Sequence, residues 1–145
     1  MSLVVPSSDW VLPQMPPSFD VAVALDNRGA SARATLALIR QKLRSRGDFE
    51  KVLSDIRSSI SRSPGFRSLG DTALDLEPYT AHEFQFLKTV DGEDVFNRLT
   101  VVYSRDLAYV LSLSCPNARA ESLAADFNAF VRGLVVKKSR RELSF

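Results

Sequence analysis

In residues 80–115 large apolar side chains recur at alternate positions of three strand-like runs, and Asp91-Gly92 divides the first two. Asp-Gly between alternating runs is a strong signal for a two-residue β-hairpin, because both central residues of a type I′ turn need positive φ. The turn pairs Val90 with Glu93, and therefore Phe86 with Asn97, Phe84 with Leu99 and His82 with Val101. The runs TAHEFQFLKTV, EDVFNRLTVVYS and LAYVLSLSC then form a three-strand antiparallel meander. The second turn lies near Ser104-Arg105-Asp106. Read as a three-residue loop, it pairs Tyr103 with Leu107, Val101 with Tyr109 and Leu99 with Leu111. That register is preferred because pairing follows burial; a two-residue loop would set one strand's apolar face beside the next strand's small-residue face.

Two faces follow. The core face carries His82, Phe84, Phe86, Val95, Leu99, Val101, Tyr103, Leu107, Tyr109, Leu111, Leu113 and Cys115. The opposite face is mixed, with Glu83, Gln85, Leu87, Phe96, Arg98, Thr100, Val102, Ala108, Val110, Ser112 and Ser114. After Cys115-Pro116-Asn117, residues 118–134 form an amphipathic helix with a stripe of Leu123, Phe127, Phe130, Val131 and Leu134. Asn117 is its candidate N-cap.

Upstream, Val21 to Leu25 reads as a small apolar strand and Asn27-Arg28-Gly29 as a turn. Ala34 to Leu43 reads as a central strand, although periodicity alone leaves a helix open there. Asp48 is a candidate N-cap for a helix to about Arg62, with its stripe at Phe49, Val52, Leu53, Ile56 and Ile60; Ser63-Pro64-Gly65 stops it. Phe66 to Leu76 reads as a strand interrupted at Gly70 and Asp71. Residues 1–19 hold Pro6, Pro13, Pro16 and Pro17 and read as an extended arm, with Trp10-Val11-Leu12 a short edge strand and Trp10 plugging the core. The expected organisation is an arm (1–19), one domain (20–136) and a basic tail (137–145). The fold class is α+β: an antiparallel sheet of about six strands with two main amphipathic helices.

A chain of 145 residues, 45% hydrophobic and 25% charged, builds one core without staples. Its net charge of +2 is concentrated at Lys137, Lys138, Arg140 and Arg141, with a looser group at Arg40, Lys42, Arg44 and Arg46. Solvated faces are the simpler reading of both groups. No secretory signal or lipobox is visible, so a cytoplasmic location is expected. No apolar run is long enough to span a membrane.

Catalytic chemistry is hard to assemble from this chain. There is one histidine, His82, and one cysteine, Cys115. His82 falls mid-strand and reads as a core histidine with one hydrogen-bond partner. Glu83, its neighbour, points to the other face, which argues against an acid–base pair. One His and one Cys make no recognisable zinc site, and the six glycines form no phosphate loop. Neither a cofactor nor a metal is expected. Basic and aromatic residues are not interleaved on one face, so nucleic acid is not an expected partner.

The pieces LALIRQKL, GDFEKVLSDI, PGFRSL, YTAHEFQF, DG and DLAYVLSLSCP…FNAFVRGL, spread over Val21 to Leu134, resemble the PsbP/Mog-like superfamily and within it the bacterial DcrB-like branch. The resemblance is one of element order and apolar positions. It implies an α/β/α sandwich and a family that mostly binds other proteins: Ran-binding Mog proteins, photosystem II extrinsic subunits, DcrB- and LpqN-type lipoproteins, and Eag chaperones of type VI secretion effectors. The expected role is a non-enzymatic protein-binding module, of secretion adaptor or chaperone type, that holds a client segment on its mixed sheet face. The expected contact residues are Gln85, Leu87, Phe96, Arg98, Val102, Val110 and Ser112. Three alternatives stay open: a helix covering that face, binding of a lipid or metabolite instead of a protein, and a homodimer.

Overall fold

The computed structural model describes residues 10–11, 21–26, 34–76 and 78–143, and the side chains of 34–45, 47–76 and 78–134. Among the described residues, seven strands form one antiparallel sheet: β1 (Trp10–Val11), β2 (Val21–Asp26), β3 (Thr35–Lys42), β4 (Arg67–Leu76), β5 (Tyr79–Val90), β6 (Glu93–Ser104) and β7 (Leu107–Pro116). Their spatial order is β1-β2-β3-β7-β6-β5-β4. Helix α1 (Arg46–Ser61) connects β3 to β4, and α2 (Ala124–Leu143) ends the described chain. The Ala34 to Leu43 segment is the strand β3, paired with β2 on one side and β7 on the other. The expected turn at Asn27-Arg28-Gly29, the body of the N-terminal arm, the side chain of Trp10 and the side chains of the basic tail lie outside the described residues.

The β5–β6 hairpin has the expected register, from Val90↔Glu93 to His82↔Val101. Asp91 and Gly92 both take positive φ, 52° and 79°, as a type I′ turn requires. The β6–β7 register differs from expectation by one residue. Ser104 pairs with Leu107, Tyr103 with Ala108, Val101 with Val110 and Leu99 with Ser112. The loop is therefore the two residues Arg105-Asp106, with Arg105 at φ 58°. The Leu43 N–H donates to the Asp106 carbonyl at 2.6 Å, tying this turn to the end of β3.

A one-residue shift turns every β7 side chain to the other face. Tyr109, Leu111, Leu113 and Cys115 join Leu87, Phe96 and Val102, and Leu123, Phe127, Phe130 and Val131 from α2 and the turn before it cover them. Phe84 and Val101 join Ala108 on the opposite face, where Phe49, Val52 and Leu53 of α1 cover them. Each large side chain in these layers contributes roughly 1.5–3 kcal/mol through burial. The sheet thus has two buried faces, one under each helix.

Two helix starts also differ from expectation. The N-cap of α1 is Ser45, and Asp48 stands at the third helical position. There its carboxylate accepts the N–H groups of Arg44 (2.9 Å) and Ser45 (3.3 Å), satisfying donors that the helix start leaves open. Asn117 begins a short 3₁₀ turn, Asn117–Arg119, and α2 starts only at Ala124. Phe127, Phe130, Val131 and Leu134 of the expected stripe lie on α2, with Leu123 in the turn just before it, and the helix continues past Gly133 and through the expected boundary at 136–137.

Candidate functional site: two clefts between the sheet and its helices

The seven expected contact residues do not share a face. Gln85 and Leu87 on β5, and Phe96, Arg98 and Val102 on β6, face α2, whereas Val110 and Ser112 on β7 face the side of α1. Leu87, Phe96 and Val102 are buried beneath α2; Gln85 and Arg98 remain half-buried at the border of that layer.

Arg98 is the centre of a polar cluster. Its Nε donates to the Glu83 carboxylate, and its Nη2 donates to Asn128 Oδ1 on α2 at 3.0 Å. The guanidinium lies 4.7 Å from the centroid of the Phe127 ring, where the ring quadrupole favours a cation. The Gln85 amide donates to the other Glu83 oxygen at 3.3 Å. Side-chain exposures of 10% for Glu83 and 19% for Arg98 make this a largely desolvated ion pair. The pair forms the floor of a cleft of about 360 Å³ between α2 and the β4–β6 part of the sheet. Leu74, Leu76 and Val131 supply apolar walls, and Arg132 stands at its rim. Among the described residues, the charged groups of the cleft are thus two guanidiniums and one carboxylate.

A second cleft, of about 320 Å³, lies on the other face between α1 and the β3–β7 part of the sheet. Ile56 and Ile60 of α1 oppose Ile39, Leu99 and Val110, so its walls are mainly apolar. Val110 is the only expected contact residue lining it. The two clefts arise because each helix covers only part of its face.

Among the described residues His82 has one hydrogen-bond partner, Asp71 on β4. Its Nε2 lies 2.5 Å from Asp71 Oδ1, and its ring is 4.8 Å from that of Phe84. Arg57 of α1 grips the same carboxylate, Nε to Oδ2 at 2.6 Å and Nη2 to Oδ1 at 3.0 Å. This triad staples α1 to the β4 side of the sheet, and neither cleft is lined by His82. The Cys115 thiol is buried under α2, and that burial pushes its pKa up to about 11, so it packs as a small hydrophobe.

The Arg57 bonds hold the Asp71 carboxyl far below its usual range, at about 2; partial desolvation opposes them, and the His82 bond adds to them. A carboxyl depressed in the folded state stabilises the protein above the unfolded pKa of about 3.9, and that contribution is lost as pH falls through the folded value. Asp71 should therefore steepen the acid limb of stability between about pH 4 and pH 2. With its side chain 33% exposed, solvent screening keeps the effect near 1 kcal/mol. Thermal melts of Asp71→Asn across that range should show a shallower acid limb; a slope equal to that of the wild type would remove Asp71 from this role.

An antiparallel sheet clasped by one helix on each face is the α+β fold of the PsbP-like proteins, and solved structures of that kind superpose on this chain. LpqN of Mycobacterium tuberculosis, a protein involved in cell envelope biogenesis, matches with a TM-score of 0.64 and 23% identity over 89% of this chain and 78% of its own. PA94 of Pseudomonas aeruginosa, a protein of unknown function, matches with a TM-score of 0.64 and 13% identity over 81% of this chain and 83% of its own. The cyanobacterial PsbP of Synechocystis sp. PCC 6803 matches with a TM-score of 0.60 and 12% identity over 86% of this chain and 80% of its own. At such identities the likeness establishes the fold alone. No family model matches the chain, and no curated protein matches it in sequence. Among the described residues, no helix is long and apolar enough to cross a membrane.

Proposed function

We propose that this chain is a non-catalytic protein-binding module, of the adaptor or chaperone type that its resemblance to DcrB-like and Eag-type proteins suggests, and that it takes its partner at the α2 cleft. The observation that carries this reading is the composition of that cleft: apolar walls at Leu74, Leu76 and Val131 around a fixed polar floor of Glu83, Arg98 and Asn128. Such a surface combines a desolvated anchor region with hydrogen-bonding groups that need no reorganisation on binding. The expected mixed face is split between the two sides of the sheet, and α2 covers Leu87, Phe96 and Val102, so this reading places the partner in the cleft beside α2. His82 and Asp71 take a structural part in this reading, because both Asp71 oxygens are engaged by Arg57.

Affinity capture from the source organism, with mass spectrometry and then calorimetry on the purified partner, tests the proposal. The Arg132→Glu/Leu74→Lys variant should weaken the partner by at least about tenfold, and Ile56→Glu in the other cleft should leave it unchanged. A partner equally retained by the first variant, or lost with Ile56→Glu, would overturn the assignment to the α2 cleft.

A further inference from the structure

We propose that the outer edge of β4 is a strand-addition site for an extended partner segment that alternates basic with apolar residues. The inference rests on the protein-binding reading and names how the partner is held. Strand β4 ends the sheet, and among the described residues no strand lies on its outer side. A strand in that position leaves a row of backbone N–H and C=O groups able to pair with another chain. Natural edges are blunted by bulges and charges. Here the one irregularity, between Ser68 and Gly70, protects only the beginning of the strand. From Gly70 to Leu76 the ladder with β5 is unbroken, so the outer edge is regular over the same span.

The side chains of that span define the occupant. Asp71, Ala73 and Asp75 pair with Phe84, His82 and Thr80 and so share the face of α1. Leu74 and Leu76 pair with Ala81 and Tyr79 and face the α2 cleft, which they line. An added strand therefore meets carboxylates on one face and the apolar cleft wall on the other. Asp71 is held by Arg57 and His82, while Asp75 is exposed and has no salt bridge among the described residues.

A second copy of this chain fits poorly. Antiparallel self-pairing that uses the whole of Gly70–Leu76 centres on Ala73 and sets Asp71 opposite Asp75 at both ends. That pairing brings no cation to Asp75, which would face only another carboxylate that Arg57 and His82 already hold. A segment with a cation at the position facing Asp75, and apolar residues at alternate positions beside Leu74 and Leu76, reverses that sign and extends the cleft wall.

The test uses the full chain and two capped peptides that match this span in length, one alternating valine with lysine and the other valine with glutamate. Backbone NMR and amide exchange should show the lysine peptide binding and newly protecting the alternate, outward-pointing amides within residues 70–76, with the glutamate peptide at least about tenfold weaker. Asp75→Lys, a surface change, should invert that preference. Binding of neither peptide, protection confined to the α1 cleft, an Asp75→Lys variant that keeps the original preference, or a symmetric dimer through β4 would each overturn the proposal. If an authentic partner is lost with Arg132→Glu/Leu74→Lys but indifferent to Asp75→Lys, the cleft reading survives and strand addition alone fails.

Discussion

Gly65→Ala should lower stability by about 3 kcal/mol, a drop of roughly 10 °C in melting temperature for a domain of this size. Gly65 follows α1 and has φ +66°, a conformation that costs an L side chain about 1 kcal/mol. The larger part is steric. A Cβ built there would lie 2.1 Å from Thr89 Oγ1 and 2.9 Å from Thr89 Cβ. The two backbones approach closely because the Thr89 N–H donates to the Pro64 carbonyl at 2.7 Å, fastening the α1–β4 turn to the end of β5. Moving the turn away breaks that bond. Gly92→Ala isolates the conformational part, since Gly92 also has positive φ, +79°, but no neighbour within 4 Å of the added carbon. It should cost only about 1 kcal/mol. Chemical denaturation of both variants decides the matter. Equal losses at the two positions would show that the approach to Thr89 carries no energetic weight.

The same glycines show what was legible in the sequence. Asp91-Gly92 announces its turn through local backbone chemistry, and the β5–β6 register follows from it without tertiary information. Ser63-Pro64-Gly65 announces the end of α1, but the contact with Thr89 is between residues far apart in the chain and has no local signature. Arg105-Asp106 misled for a different reason. A two-residue hairpin loop usually announces itself with Gly or Asn at positive φ, and Arg105 takes φ 58° without either. Burial then decides the register only where the apolar side chains of neighbouring strands belong on a single face. With α1 and α2 covering both faces, Phe84 and Leu111 can be equally buried on opposite sides, and matching apolar faces across β6 and β7 no longer discriminates.

The candidate site was legible in part for the same reason. Of the expected contact residues, Gln85 and Arg98 do pair directly across β5 and β6, because the Asp91-Gly92 turn fixes that register, whereas Ser112 falls opposite Leu99 on the other face. The partner of Arg98 is Glu83, a diagonal neighbour on the same face and within the reach of long side chains. Opposite charges at that offset were the available signal. Asn128 and the Arg57–Asp71–His82 triad had none, since each joins elements whose packing is set by the whole fold.

Arg98→Met should destabilise the protein by about 3 kcal/mol, and Glu83→Leu added to it should recover a substantial part of the loss. Methionine keeps an apolar stem over Phe127, so the single change removes mainly the charge and its hydrogen bonds. What remains is a carboxylate with 10% exposed side chain and, among the described residues, only the Gln85 amide, at 3.3 Å, as a donor. An unpaired charge in that position costs more than the intact pair contributes, whereas an apolar double replacement leaves no charge to desolvate. Residual exposure of Arg98 (19%) keeps the loss toward the lower end of the range for buried pairs. A double-mutant cycle by denaturant unfolding measures the coupling, expected at about 2 kcal/mol. Losses that simply add would mean that the two charges act independently and that the floor of the cleft is not a preformed unit. The same energetics explain why Arg132, exposed at the rim, is the residue for mapping a partner: a change at Arg98 disturbs α2 through Asn128, and lost binding there would report on the fold as much as on the contact.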